Sequence, residues 1–501
     1  MSPAVVIYLL LALPLILVLF LSRRQKKSSN LSLPPGPPGL PFIGNLLQLD
    51  PTAPHRYMWQ LSQKYGPVTS LKLGGIRVVV VSTAKMAEEV MKTQDLTFCS
   101  RPPAVGRKKL TYECLDLAAA PYGPYWREMK KVCVVHLFNS NRVQGFGPIR
   151  EYEVSKLMEK ISKSSLASKP FDLSDAMISL TSSIICRVAF GKRYEEEGAE
   201  RSRFKPLINE SQALFTSFFF SDHFPLLSFV DRLSGLISRL DKNFEESDAF
   251  YQEIIDQHLD PNRPKPEQED ILDIMLQIWK DRSFKVQLTF DSIKAILMDI
   301  FIGGTDTSAT TVVWTMTYLM KNPRAMEKAQ KEIRLAIGKK GFVKEEDIQQ
   351  LTYLKAVVKE AMRLQPALPL LVPRETTKKC SLNGYEIPAK TVVYVNTWAV
   401  GRDPEAWGEN PEEFKPERFI GTSIDVKGTD FQLLPFGAGR RLCPGIHMGL
   451  VTVELSLANL LYAFDWEMPA GMKTEDLDMD VMPGITMYKK NALRLVARKH
   501  V

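Results

Sequence analysis

One cysteine set among glycines constrains this chain more than any other feature. The segment reads Pro435-Phe436-Gly437-Ala438-Gly439-Arg440-Arg441-Leu442-Cys443-Pro444-Gly445, directly ahead of an apolar stretch that patterns as a helix through Ala463. Glycines let the backbone fold tightly beneath a flat ligand and aim amide N–H groups at a sulfur. A helix N-terminus and such amides favour thiolate over thiol, the form that binds a metal. Local physics thus permits a thiolate ligand and leaves the metal unnamed. The other five cysteines (99, 114, 133, 186 and 380) form no CxxC pair and are expected as buried thiols. That usage argues against a disulfide scaffold or a cysteine-rich zinc site, and for a reducing compartment.

The amino end is the second constraint. Ala4 to Leu21 is apolar apart from Tyr8, with one Pro14, and Arg23, Arg24, Lys26 and Lys27 follow at once. The run nearly reaches the length needed to cross a bilayer, and its charges follow rather than precede it. We therefore expect residues 1–22 to be an uncleaved signal anchor, with the basic cluster and everything after it on the cytoplasmic side. Leu33-Pro34-Pro35-Gly36-Pro37-Pro38-Gly39-Leu40-Pro41 excludes helix and sheet, so residues 23–41 read as a basic cluster and semi-rigid spacer. Residues 42–501 are expected to form one globular body. Its 45% hydrophobic and 24% charged content excludes a disordered or collagen-like chain. The net charge of +8 is too mild to mark a nucleic-acid binder.

Residues 67–73 and 76–81, parted by Gly74-Gly75, predict a hairpin, and Ser82 or Thr83 caps a helix through Met91. Helices are expected over 291–320, stopped by Asn322-Pro323, and over 351–364, stopped by Pro366. Strands are expected at 380–382 and 391–395. No regular strand–helix alternation and no glycine-rich phosphate loop is present, which argues against a dinucleotide fold. Gly303-Gly304-Thr305-Asp306-Thr307-Ser308 falls in the middle of the first long helix, and the two glycines predict a break in its ladder.

Phe436-x-x-Gly439-x-Arg441-x-Cys443-x-Gly445 resembles the haem-binding signature of cytochromes P450. Glu360-Ala361-Met362-Arg363 resembles the family's E-x-x-R, Pro416-Glu417-Arg418-Phe419 its P-E-R-F segment, and 303–308 its A/G-G-x-D/E-T-T/S segment. The resemblance covers essentially the whole chain and is nearest to plant microsomal A-type members, including the plant family that contains aldoxime-metabolising enzymes. It implies the P450 fold, mainly α with a minor β region, behind one N-terminal transmembrane helix. It implies haem b with Cys443 as axial ligand, and Pro435, Phe436, Arg441 and Gly445 around it. Glu360, Arg363 and Arg418 are implied as a buried structural network. Trp126-Arg127-Glu128-Met129-Lys130 resembles W-x-x-x-R with Lys130 in the final place; Trp126, Lys130, Arg374 and Arg441 are the implied cofactor contacts, Lys130 acting without a bidentate fork. His447 is not an implied iron ligand.

The activity implied is monooxygenation. O2 is reduced with electrons from a separate protein, usually NADPH-cytochrome P450 reductase in the endoplasmic reticulum membrane, and one oxygen atom enters a small lipophilic substrate. Asp306 and Thr307 are the implied acid–alcohol pair that handles protons, and Gly303 and Gly304 make room for oxygen. Arg440, Arg441 and the 127–131 segment are expected on or below the reductase-docking face. Residues 105–117, 215–224, 300–307, 367–372 and 484–486 are expected to touch substrate, giving an apolar and aromatic wall suited to an aromatic molecule or an aldoxime. The alternatives are a P450-type dehydratase or isomerase that consumes no O2, which the Asp306-Thr307 pair argues against, and a haem-binding sensor or electron carrier.

Overall fold

The computed structural model describes residues 32–167, 169–193, 199–281 and 285–500, and over 199–205 the helix but not its side chains. The expected anchor and the whole of the basic cluster lie outside the described residues. The body is helical, with three small sheets. Strands β1 (Val68–Leu73) and β2 (Ile76–Val81) form the expected antiparallel hairpin. Strands β3 (Phe171–Asp172), β4 (Arg374–Glu375), β5 (Cys380–Leu382), β6 (Tyr385–Ile387), β7 (Val392–Val395), β8 (Phe464–Glu467) and β9 (Arg494–Lys499) follow. The sheets run β1-β2-β7-β4, β3-β9-β8 and β5-β6. β2 and β7 pair in parallel, so residues more than three hundred positions apart share one edge.

Six helices build the site: α1 (Pro124–Val132), α2 (Leu173–Phe190), α3 (Ala199–Phe215), α4 (Phe290–Lys321), α5 (Thr352–Leu364) and α6 (Ile446–Ala463). Thr289 caps α4 through Ser292, and the chain turns at Asn322 into the next helix, which opens on Pro323. Of the 32 positions of α4, 24 are buried, so it carries little amphipathic signal and runs through the centre of the body. α2 and α6 are long and apolar enough to cross a membrane, yet both are packed in this core. The expected cap at Thr83 is present, but its helix ends at Glu88 and continues as a π turn over Glu89–Thr93.

The break expected at Gly303-Gly304 is not there. α4 is continuous across it, and Gly304 lies close against α2: a Cβ there would sit 2.5 Å from Ile185 Cδ1. The Thr307 hydroxyl donates to Gly303 O at 2.7 Å, adding a bond at the same turn.

Beneath the site, Glu360 and Arg363 on α5 form a doubly bonded pair (2.6 and 2.8 Å), with Arg418 Nε 3.5 Å from Glu360. Arg363 also donates to the carbonyls of Gly401, Pro411 and Glu413. Both Glu360 oxygens and all three Arg363 nitrogens have hydrogen-bond partners, the condition a buried ion pair must meet.

Candidate active site

The segment ahead of α6 folds back under a cavity of about 300 Å³. Gly437 and Gly439 both take left-handed φ (70° and 67°). At Gly439 the turn is obligatory, since a Cβ would sit 2.1 Å from Met91 O. The turn brings Cys443 N within 3.1 Å of Phe436 O and places the sulfur on the cavity floor with Pro435, Phe436 and Gly445. The Gly445 N–H and the Lys130 ammonium draw the thiol toward thiolate, but burial outweighs them and its pKa is raised. The amide contribution thus has the expected sign, burial exceeds it, and a metal cation bonded to the sulfur would favour the thiolate further.

Opposite lie Gly303, Gly304, Thr307, Ser308 and Thr311 of α4. Gly303 is open to the cavity, and a Cβ there meets nothing within 4 Å. Asp306 points elsewhere. Its carboxylate takes a hydrogen bond from Gln212 on α3 and another from Tyr488, and burial pushes its pKa up to about 6. The acid–alcohol pair is thus adjacent in sequence but divided between two faces of the helix.

One side of the cavity is crowded with cations. Arg441 stacks on Trp126 (4.2 Å) and donates to the carbonyls of Cys99, Leu117 and Ala120. Arg374 holds Asp95 and Ala438 O, and Lys130 donates to Leu442 O. Sequence reading missed a fourth, Arg101, which is buried and donates to Ala118, Val372 and Pro373 carbonyls. Burial lowers the pKa of all four, and Arg101, Arg374 and Arg441 repel one another. Among the described residues Arg101 and Arg441 meet no carboxylate within ion-pair distance. A flat ligand with an apolar body and paired carboxylates would supply the missing negative charge here, while its metal would meet Cys443. Haem fits that description.

Most of the remaining wall is aliphatic, with Ile184, Ile185, Ile296, Ile300, Ala367, Leu368, Leu371 and Val372, and Thr181 and Asp299 are polar members of it. Two expected substrate regions do not reach it. Phe218 and Phe220 are exposed at the surface and Phe219 is in the core, because α3 ends at Phe215 and the chain turns outward to pack on Gly74. Residues 484–486 also stay outside the cavity lining. Arg440 is half exposed, whereas Arg441 is turned inward. His447 is exposed, and of the other cysteines three are buried and two half-buried.

Comparison with known proteins settles the family. Residues 34–495 match the model of the cytochrome P450 family. This chain is a cytochrome P450. It is 50% identical over 506 residues to a 5-OH-xanthotoxin synthase of Pastinaca sativa, covering 99% of each chain. It is 48% identical to a 6,7,8-trihydroxycoumarin synthase of the same plant, again over 99% of each. A zebrafish cytochrome P450 solved with progesterone superposes with a TM-score of 0.76 at 26% identity, over 89% of this chain and 99% of that one. The P450 binds haem through a cysteine thiolate and is a monooxygenase that works with O2, a separate redox partner and a small lipophilic substrate.

Proposed function

We propose that this P450 hydroxylates a planar oxygenated aromatic of the coumarin or furanocoumarin class, drawing electrons from NADPH-cytochrome P450 reductase at the endoplasmic reticulum membrane. The observation that carries the reading is the cavity itself: a slot above the Cys443 floor whose walls from α2, α4 and residues 367–372 are largely aliphatic. Two relatives that match over nearly their whole length bear names from that substrate class. Haem, when bound, supplies the reductive activation of dioxygen, in which two electrons and two protons send one oxygen atom into substrate and the other into water.

The chain's own residues hold, orient and protonate. Cys443 ligates the metal, while Arg101, Lys130, Arg374 and Arg441 hold the cofactor's carboxylates. Thr307 directs its hydroxyl proton to Gly303 O, so its oxygen is left to accept a hydrogen bond from a ligand in the cavity. Asp306 keeps its proton up to about pH 6 and delivers it by turning from Gln212 and Tyr488 toward Thr307.

Membrane attachment has support outside the expected anchor. Leu40, Phe42, Ile43 and Leu47 are exposed, as are Leu226, Phe229 and Leu233. Both groups meet at the β1–β2 turn, where Gly74 N bonds Ile43 O and Gly75 N bonds His223 O. Such a shared apolar face suits a lipid surface.

The test is turnover by the full chain with reductase and NADPH against a panel of coumarins, furanocoumarins and aldoximes. Hydroxylated coumarins are expected, abolished by Cys443→Ser. Turnover of aldoximes alone would overturn the substrate class, and no spectrum of carbon monoxide on reduced thiolate-ligated haem would overturn the whole reading.

A further inference from the structure

Residues 115–120 close one side of the cavity, and their main chain is bonded on both edges. The carbonyls face the cations: Leu117 O accepts from Trp126 Nε1 (3.0 Å) and Arg441 (3.2 Å), Ala118 O from Arg101 (2.8 Å), and Ala120 O from Arg441 (2.7 Å). The amides face acids. Leu117 N and Ala118 N both donate to Asp299 Oδ2 of α4 (2.7 and 3.1 Å), and Ala119 N donates to Asp116 Oδ2 (2.7 Å).

The two acids also meet each other. The Asp116 and Asp299 side chains are in hydrogen-bonding contact, Asp116 is fully buried, and its Oδ1 receives no N–H or O–H bond. Two carboxylates that touch in an enclosed site repel, and a proton between them turns that repulsion into a hydrogen bond. Burial raises the pKa of each, and for Asp299 the Asp116 charge adds to it. Arg101 and Arg441 are the cations that act on the pair, and Tyr125, Tyr251, Cys114 and Cys133 are neutral neighbours whose own pKa values are raised. Asp299 borders the cavity, yet one oxygen is taken by two amides and the carboxyl is shared with Asp116, so it is occupied in holding the loop.

Just before the loop, Tyr112, Glu113 and Cys114 take three consecutive left-handed conformations (φ 52°, 61° and 66°), which L residues rarely adopt. Such a run persists only where its surroundings hold it, here through Tyr112 Oη on Asp248, Tyr125 Oη on Leu115 O and the acid pair.

We propose that Asp116 and Asp299 share a single proton and act together as a latch that fastens the 115–120 loop to α4, setting the width of the cavity above the cofactor. Both are positioning residues. The inference rests on the P450 reading only for what the cavity holds; the latch itself is a property of the polypeptide.

Substitution separates the shared proton from two ionised acids. An amide at either position can donate to the remaining carboxylate, so Asp116→Asn and Asp299→Asn should keep the latch, whereas Asp116→Ala and Asp299→Ala should release it. In the holoenzyme, the ratio of spectral dissociation constants for imidazole and 4-phenylimidazole should shift by about tenfold in the alanine variants and stay within about twofold in the asparagine variants. Infrared spectra of the wild type should show the carbonyl stretch of a non-ionised carboxyl that disappears in both asparagine variants. Hydrogen exchange should find the 117 and 118 amides protected in the wild type and in the asparagine variants. Asparagine variants as damaged as alanine ones, no acid carbonyl stretch, or free exchange of those amides would each overturn the latch. Should the alanine variants not fold, the infrared and exchange measurements decide it alone. Neither needs haem, so a failure of the P450 reading would appear separately, as a missing carbon monoxide spectrum.

Discussion

Two groups of buried arginines sit on either side of the cysteine loop and are wired in opposite ways. Below it, Arg363 and Arg418 converge on Glu360, and the remaining donors end on carbonyls. Beside the cavity, Arg101 and Arg441 end on carbonyls alone, and only Arg374 has a carboxylate, Asp95. Each guanidinium of the first group faces a carboxylate, and the set contributes to folding. The second is short of negative charge and contributes little until an anion arrives. A count of buried arginines would not tell them apart; the sign of what faces them does. The same contrast recurs in the glycines of α4, where Gly304 is closed by Ile185 and Gly303 opens on space.

The contrast breaks first at Arg363. Arg363→Ala leaves Glu360 with Arg418 as its one remaining cation, at 3.5 Å, and should cost about 3–5 kcal/mol, read by chemical unfolding of the haem-free chain. Asp306 comes next, a buried acid whose bonded partners, Gln212 and Tyr488, are neutral, unlike those of Glu360. Its pKa of about 6 lies above the ordinary value, so it is protonated below that pH. The proton-delivery step should slow as pH rises through about 6, and Asp306→Asn should lower kcat by about a hundredfold and flatten that limb. The same shift has a sign for stability: the contribution is fully present below the unfolded carboxyl's pKa and is lost as pH rises through about 6.

Arg441→Ala should leave haem-free stability far less changed than Arg363→Ala, because it removes a cation repelled by Arg374, while haem retention weakens by about 1–3 kcal/mol in transfer to an acceptor protein. Equal loss of stability in the two variants would erase the distinction between the clusters. Gly304→Ala should destabilise by about 1–3 kcal/mol through overpacking against Ile185. Gly303→Ala should instead gain up to about 1 kcal/mol of helix stability while weakening ligand binding. The smallest effect is expected at Lys130→Arg, which adds a fork and should slow haem loss by about twofold.

Much of the fold was legible because its signals are local. Gly74-Gly75 marks the hairpin, Asn322-Pro323 stops α4 within a residue of expectation, and the glycine spacing around Cys443 marks the floor of the site. Arg101 was illegible, since the carbonyls it holds lie at Ala118, Val372 and Pro373 and leave no local pattern. The side of the helix to which Asp306 turns was equally hidden, being set by Gln212 and Tyr488 from distant segments. The aromatic run 215–224 misled because hydrophobicity alone does not distinguish a cavity wall from a surface patch.

That patch has a practical outcome. Leu226 (92% exposed), Leu233 (81%) and Leu47 (76%) keep their greasy side chains outward in the folded body, and none of them belongs to the expected anchor segment, residues 1–22. Trimming off the amino-terminal segment to obtain water-soluble material would leave these side chains untouched, and the shortened enzyme should still clump without detergent until they too are replaced by polar ones.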